Sequence, residues 1–138
     1  MNRVFLDTSG LIAVVNVDDQ WHSLAESTWQ ELLRANTSFL TTSLVLIEVA
    51  DGLSRIHQRS LAVYLYDRLR SSPQVEIIQV VQATEEQAWD LFRERQDKDW
   101  GMTDCVSFVV MRDRDLQEAF TNDRHFEQAG FIRLLRVE

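Results

Sequence analysis

Arg3-Val4-Phe5-Leu6-Asp7-Thr8-Ser9-Gly10-Leu11-Ile12-Ala13-Val14-Val15-Asn16-Val17 opens the chain with two different apolar patterns in succession. Arg3 to Leu6 is a short apolar run that ends at an acid. Ser9 to Val17 is a mostly apolar helix closed by Asp18-Asp19, so the segment reads strand, turn, helix. The same alternation continues outward. His22 to Ala35 places Leu24, Ala25, Trp29, Leu32 and Leu33 near a 3.6-residue period, with Asn36 as a C-terminal cap. Ser38 to Thr41 suits a buried strand, after which Thr42 or Ser43 caps a helix from Leu44 to about His57. A further helix runs to about Ser72, where Pro73 stops it. Val75 to Val81 is rich in β-branched residues and reads as a strand. Thr84-Glu85-Glu86-Gln87 has the form of a capping box opening a helix through Arg95. A polar loop from Asp97 to Met102 leads to a helix capped by Thr103 and running to about Asp113. Glu118 to Thr121 is then a strand, Asp123 to Ala129 a short helix stopped by Gly130, and Phe131 to Val137 a last strand.

Strands that alternate with helices predict an α/β fold with a parallel sheet covered on both faces, since parallel neighbours need helical crossovers. The 138 residues form a single domain in this reading, 1–138, with no linker, repeat or low-complexity tract. In such sheets ligands gather at the C-terminal ends of the strands.

Composition removes several classes of function. A hydrophobic fraction of 45% with 26% charged residues is that of a globular chain. The longest apolar runs fall far short of the roughly 20 residues of a membrane span, and the N-terminus has no signal-peptide pattern, which places the protein in the cytoplasm. Cys105 is the only cysteine, so an intramolecular disulfide or a multi-cysteine metal site is excluded. His22, His57 and His125 have no zinc-ligand spacing, and the four glycines form no nucleotide-binding loop. Thirteen of the 14 basic residues are arginine, but the net charge of −8 (14 basic against 22 acidic) opposes broad nonspecific nucleic-acid binding. A nucleic-acid role then needs local basic patches or metal ions. Arg55, Arg59, Arg112, Arg114 and Arg124 are candidate phosphate contacts, with ordinary surface solubility as the simpler explanation of any one.

Four acids stand out. Asp7 follows the first strand directly, at the sheet's C-terminal edge, where it either caps the next helix or serves a site. Glu48 lies in Leu44-Val45-Leu46-Ile47-Glu48-Val49-Ala50, where a charge is costly unless paired, hydrated or bound to a cation; the alternative is a position at the helix's solvent boundary. Asp104 begins a helix whose remainder, Cys105 to Met111, is nearly all apolar, and a helix N-terminus favours a carboxylate through its dipole. Asp123 repeats the placement of Asp7 after a later strand. Carboxylates converging on one sheet edge raise each other's pKa and call for a cation. All-oxygen ligands suit Mg²⁺ or Mn²⁺, and such a site can activate water and shield a phosphodiester's charge.

Each acid sits in a segment that resembles the PIN-domain ribonucleases, and among them the VapC-like toxins of toxin-antitoxin systems. The segments are Val4-Phe5-Leu6-Asp7-Thr8-Ser9, Thr41-Thr42-Ser43-Leu44-Val45-Leu46-Ile47-Glu48-Val49, Thr103-Asp104-Cys105-Val106-Ser107-Phe108 and the run from Thr121-Asn122-Asp123 to Phe131. The resemblance implies a three-layer α/β/α PIN-like domain with a parallel five-stranded sheet. It implies an acidic pocket of Asp7, Glu48, Asp104 and Asp123 holding one or two Mg²⁺ or Mn²⁺, with hydroxyls of Thr8 and Thr121 bonded to the carboxylates or substrate. It further implies RNA as substrate (transfer, ribosomal or messenger), products with a 5′-phosphate and a 3′-hydroxyl, a homodimer, and a cognate antitoxin that inserts a segment, often with an arginine, into the pocket. Gly101 departs from many relatives, which resemble this loop but carry serine there. His125 receives no catalytic role from the resemblance and reads as a packing or hydrogen-bonding residue. Cys105 and the tryptophans read as packing, with loop residue Trp100 as the exception.

Two other readings compete. Haloacid-dehalogenase-like phosphatases also put an Asp after the first strand, but they need a second acid where this chain has Ser9 and a later lysine where only Lys98 exists. A catalytically silent PIN-like module that binds RNA or protein is the second alternative, since a fold does not guarantee activity. Loss of an acid would favour it, and all four acids are present.

Overall fold

Three short runs, Val4-Phe5-Leu6, Phe39-Leu40-Thr41-Thr42 and Ala119-Phe120, are buried along their whole length, which is the pattern of strands covered on both faces. In the computed structural model, which describes residues 2–137, they form the centre of one parallel sheet. The strands are β1 (Arg3–Leu6), β2 (Ser38–Thr42), β3 (Val75–Ile78), β4 (Glu118–Phe120) and β5 (Ile132–Arg133), in the order β3-β2-β1-β4-β5. Helices α1 (Thr8–Val15) and α2 (His22–Arg34) join β1 to β2, and α3 (Ser43–Gly52) and α4 (Arg59–Ser71) join β2 to β3. The chain then returns through α5 (Gln82–Glu94) and α6 (Met102–Asp113) to β4, and α7 (Arg124–Gln128) leads to β5.

The direction of travel reverses at β1. Right-handed crossovers therefore put α1 to α4 on one face and α5 to α7 on the other. The packing agrees: α1 touches α2, α3 and α4, while α6 touches α5 and α7. The result is the three-layer α/β/α architecture, with Phe5, Phe39, Phe108, Phe120 and Phe126 among the largest buried side chains. Among the described residues, no helix is long and apolar enough to cross a membrane.

The reversal creates a switch point between β1 and β4, and helix α1 closes onto it. Gly10 lies so near β4 that an added Cβ would stand 2.2 Å from the Phe120 carbonyl oxygen and 2.6 Å from the Phe120 ring. Only glycine allows this approach. The β1–β4 ladder continues past the strands through the Asp7 N–H, which donates to the Phe120 carbonyl at 3.4 Å.

Several elements are shorter than the sequence pattern predicts. The helix expected to reach His57 ends at Gly52, because the chain turns through residues 54–58 so that α4 can fold back on α3. Ile56, at the tip of that turn, is 94% exposed. The strand expected to reach Val81 ends at Ile78, opposite the last residue of β2; the Val80 N–H is instead taken by the Ser43 hydroxyl at 3.1 Å. The last strand is Ile132–Arg133 rather than Phe131 to Val137, since β4 offers only three residues to pair with, although Leu134 and Leu135 still donate to the Ala119 and Thr121 carbonyls.

Two capping expectations also fail. Helix α5 starts at Gln82 with Val81 as its N-cap, so Thr84 lies inside the helix and forms no cap. Helix α6 starts at Met102 with Gly101 as its N-cap, so Thr103 is likewise internal. The tryptophan expectation is reversed for two residues. Trp100 is 4% exposed, edge-on to Phe108, with its indole N–H donating to Gln128. Trp89, on α5, is 51% exposed and stacks on Phe92.

Gly10→Ala should destabilise the protein by at least about 2 kcal/mol, since the new methyl meets backbone that cannot move independently of the sheet. A urea midpoint unchanged from that of the unaltered protein would contradict this account of the switch point.

Candidate active site

The C-terminal ends of β1 and β4 lie side by side, so the residues that follow them meet. Asp7, immediately after β1, is 4% exposed. Its Oδ2 accepts a hydrogen bond from the hydroxyl of Thr121, the residue after β4, at 2.7 Å. Ser9 completes the junction from the first turn of α1. Its hydroxyl lies 2.9 Å from Thr121 Oγ1 and accepts the Asn122 N–H at 3.1 Å. Since Thr121 gives its proton to Asp7, the Ser9 hydroxyl is left to donate to Thr121 Oγ1 or, at 3.4 Å, to Asp7 Oδ2. The Thr121 oxygen also accepts the Asp123 N–H at 3.0 Å.

Asp104 reaches the same place from the opposite face of the sheet. It sits in the first turn of α6, and its Oδ2 accepts the Gly101 N–H at 3.1 Å, capping the helix with its own carboxylate. The same oxygen lies 2.8 Å from Nδ1 of His125 on α7. Asp123 is the N-cap of α7 and accepts the His125 N–H through Oδ1 at 2.9 Å. Ligand atoms of Asp104, Asp123 and His125 all lie within 4.8 Å of one another. Arg133 of β5 steadies this turn, donating to the Asn122 carbonyl at 2.8 Å and pairing with Glu127 at 3.4 Å.

Glu48 stands on the exposed side of α3, the solvent-boundary position, and accepts a hydrogen bond from the Thr8 hydroxyl. Asp7, Glu48, Asp104 and Asp123 all line one open cavity of about 550 Å³, with Thr8 also in its wall and Thr121 buried beneath Asp7. A fifth acid, Asp19, lines it too. Of the arginines considered as phosphate contacts, Arg114 is paired with Glu76 at 3.2 Å.

Sequence reasoning gave His125 no more than a packing or hydrogen-bonding role and passed over Ser9, Asp19 and Arg133. For Ser9 a signal existed, since it follows Asp7 by two residues on the first turn of a helix. For Asp19 and Arg133 none did, because their relevance depends on how loops and β5 fold back.

The gathering of acids has an electrostatic consequence. Burial pushes the Asp7 carboxyl from 3.8 to about 7, and the charges of Asp104 and Asp123 add to this, against the stabilising bond from Thr121. Burial also raises Asp104, with the Asp123 charge, against the bonds from His125 and Gly101. At His125, burial opposes the imidazolium, but the Asp104 bond and the charges of Asp123, Asp104 and Asp99 outweigh it and hold the ring's pKa above its ordinary value. The donor set fits a hard dication. Asp104 and Asp123 each have one oxygen tied by protein donors and the other free of them, as a one-oxygen ligand to an octahedral ion requires, and Asp7 is tied through Oδ2 to Thr121.

A parallel sheet with acids collected at its switch point makes this an α/β protein with an acidic site at the carboxyl-terminal edge of the sheet, and the comparisons give the family. A PIN domain model matches residues 4–132, and the chain belongs to the PIN domain family. It is similar to the 23S rRNA-specific endonuclease VapC20 of Mycobacterium tuberculosis, 30% identical over 133 residues, spanning 95% of this chain and 97% of that protein. The crystal structure of that Sarcin-Ricin loop cleaving toxin superposes with a TM-score of 0.83, covering 94% of this chain and 96% of the other. The fold is also shared with VapBC2 from Rickettsia felis, solved bound to a DNA fragment from its promoter, at TM-score 0.67 and 19% identity over 95% of this chain and 96% of that one.

Two outcomes follow from the site. In metal-free buffer, Asp7 keeps its proton to about pH 7 in the folded protein but to about pH 4 in the unfolded chain, so its ionisation lowers stability progressively between those values and no further above them. Asp7→Asn should remove that slope, gaining up to about 4 kcal/mol relative to the unaltered protein at pH 8 compared with pH 4; parallel pH dependences in urea titrations would refute the assignment. Gly101→Ser should be tolerated, with Tm unchanged or slightly raised. A Cβ there meets no atom within 4 Å, and serine at an N-cap exceeds glycine by a few tenths of a kcal/mol.

Proposed function

We propose that the protein is a metal-dependent endoribonuclease and the toxin of a VapBC-like pair. The reading rests on one observation above all: four carboxylates from the β1–α1 junction, α3, α6 and the β4–α7 turn line a single cavity at the sheet's switch point. The 30% identity to a 23S rRNA endonuclease along nearly the whole chain supports ribosomal RNA as the first substrate to test.

In this proposal Asp7 and Asp104 would be the strongest ligands to Mg²⁺ or Mn²⁺, with Glu48 and Asp123 acting partly through water. When bound, the cation supplies positive charge that favours deprotonation of the attacking water and offsets the charge of the phosphodiester. The chain's own part is orientation. Thr121 fixes the rotation of Asp7, Thr8 that of Glu48, and His125 with the Gly101 N–H that of Asp104. Water adds to phosphorus in line with the 3′ oxygen, the P–O3′ bond breaks, and the products carry a 5′-phosphate and a 3′-hydroxyl.

The same cavity is where a cognate antitoxin acts, through an inserted arginine whose forked N–H groups match clustered carboxylates. The protein functions as a homodimer in the cytoplasm. The exposed Trp89–Phe92 stack is apolar surface that a second copy would cover, and a lone buried thiol at Cys105 suits a reducing compartment.

Purified protein incubated with pooled transfer and ribosomal RNA should cleave with Mg²⁺ or Mn²⁺ and stop with EDTA. The Asp7→Asn, Asp104→Asn double variant should lose at least about 10³-fold, several kcal/mol of transition-state stabilisation. Full activity in that variant would overturn the site. A folded, antitoxin-free protein that binds these RNAs without cutting them would favour the silent binding module instead.

A further inference from the structure

Among the described neighbours of the site, His125 alone reaches the carboxylates of two of the acids, which arrive from different elements. Its ring Nδ1 lies 2.8 Å from Asp104 Oδ2, on α6. Its backbone N–H donates to Asp123 Oδ1 at 2.9 Å, and the same ring nitrogen is 3.4 Å from that oxygen. Asp104 and Asp123 repel each other, so without a donor between them their side chains would rotate apart. A histidine bonded to a carboxylate through Nδ1 carries its proton there and has no lone pair on that nitrogen for a cation. The ring is also partly exposed, at 28%, and among the described residues its polar partners are these two acids alone.

We propose that His125 is a positioning residue, which holds the Asp104 and Asp123 carboxylates in the arrangement that receives a divalent cation and is not itself a ligand. The inference rests on the metal-dependent reading of the cavity. The side chain acts on Asp104, while Asp123 is held by the His125 backbone N–H, which a substitution keeps. Asp104 presents a single free oxygen because its other oxygen is occupied by His125 and the Gly101 N–H. Removing the ring leaves only the Gly101 N–H on that oxygen, so the carboxylate turns more freely about its χ2 angle. The site then keeps all its acids but loses the alignment of Asp104 with Asp123. Asparagine can place an amide N–H where imidazole Nδ1–H stands, so it restores the bond without restoring a second ring nitrogen.

The test is direct Mn²⁺ binding, followed by electron paramagnetic resonance of the free ion, for the unaltered protein, His125→Ala and His125→Asn. Circular dichroism in EDTA establishes that each is folded. Because partners that orient metal ligands contribute about 10- to 100-fold in affinity, His125→Ala should weaken Mn²⁺ binding by that factor, while His125→Asn should stay within about threefold of the unaltered protein. At saturating Mn²⁺ the KM for RNA should be the same in all three. Unchanged Mn²⁺ affinity in His125→Ala would overturn the positioning role and leave the ribonuclease reading intact. Equal losses in folded alanine and asparagine variants would overturn it in favour of the ring as a ligand. If the unaltered protein binds no Mn²⁺, the metal-dependent reading fails, and this inference with it.

Discussion

The contact on which the rest of the architecture depends is the approach of the first turn of α1 to the end of β4, where Gly10 lies against the Phe120 carbonyl. A side chain at that position would lift the helix from the sheet and draw Ser9 away from Thr121. The Ser9–Thr121–Asp7 junction, and with it the orientation of the buried acid, follows from an absent methyl group. Strand order supplies the other half of the constraint. Because β1 is central and the chain crosses over it, β1 and β4 end together, and Asp7 meets Thr121 although 114 positions separate them in sequence.

The two ends of the sheet handle charge in opposite ways. At the amino-terminal end, Glu76 of β3 is bound by Arg3 at 2.8 Å and by Arg114 at 3.2 Å, which holds its pKa below the ordinary value and links β1, β3 and the segment after α6. At the carboxyl-terminal end, acids are collected with no lysine or arginine, among the described residues, in the wall of their cavity. Neutral donors take their place: hydroxyls of Thr8, Ser9 and Thr121, and the N–H groups of Gly101 and His125. Hydrogen bonds of this kind fix direction without cancelling charge.

The α/β class and the five-stranded parallel sheet were legible in the sequence because buried strands and amphipathic helices have different periods, and Asn36 and Gly130, both at positive φ, marked helix ends. The ends of elements were less so. Val80 and Val81 have strand-forming side chains, yet a strand stops where its neighbour stops, and the length of β2 is not written in the sequence of β3. The four acids were legible from their placement after strands and inside apolar runs. The bridging role of His125 was not, since a histidine in the first turn of a short helix acquires its meaning only when α6 and α7 meet. Trp89 and Trp100 show the same limit: helical spacing cannot tell which side of α5 is covered, and a loop tryptophan gives no sign that Gln128 awaits its indole N–H.

An acidic cavity on a chain with net charge −8 also bears on how fast partners arrive. A polyanion meets repulsion before it meets the site, and dissolved ions screen that repulsion beyond a Debye length of about 8 Å at physiological ionic strength. Added monovalent salt therefore speeds the encounter with a strand of nucleic acid, the reverse of the behaviour of basic nucleic-acid binders. A cationic peptide is drawn to the same opening by the same field, and its approach slows as salt rises. Ionic strength thus acts in opposite directions on the approach of anions and cations without altering a single contact inside the cavity.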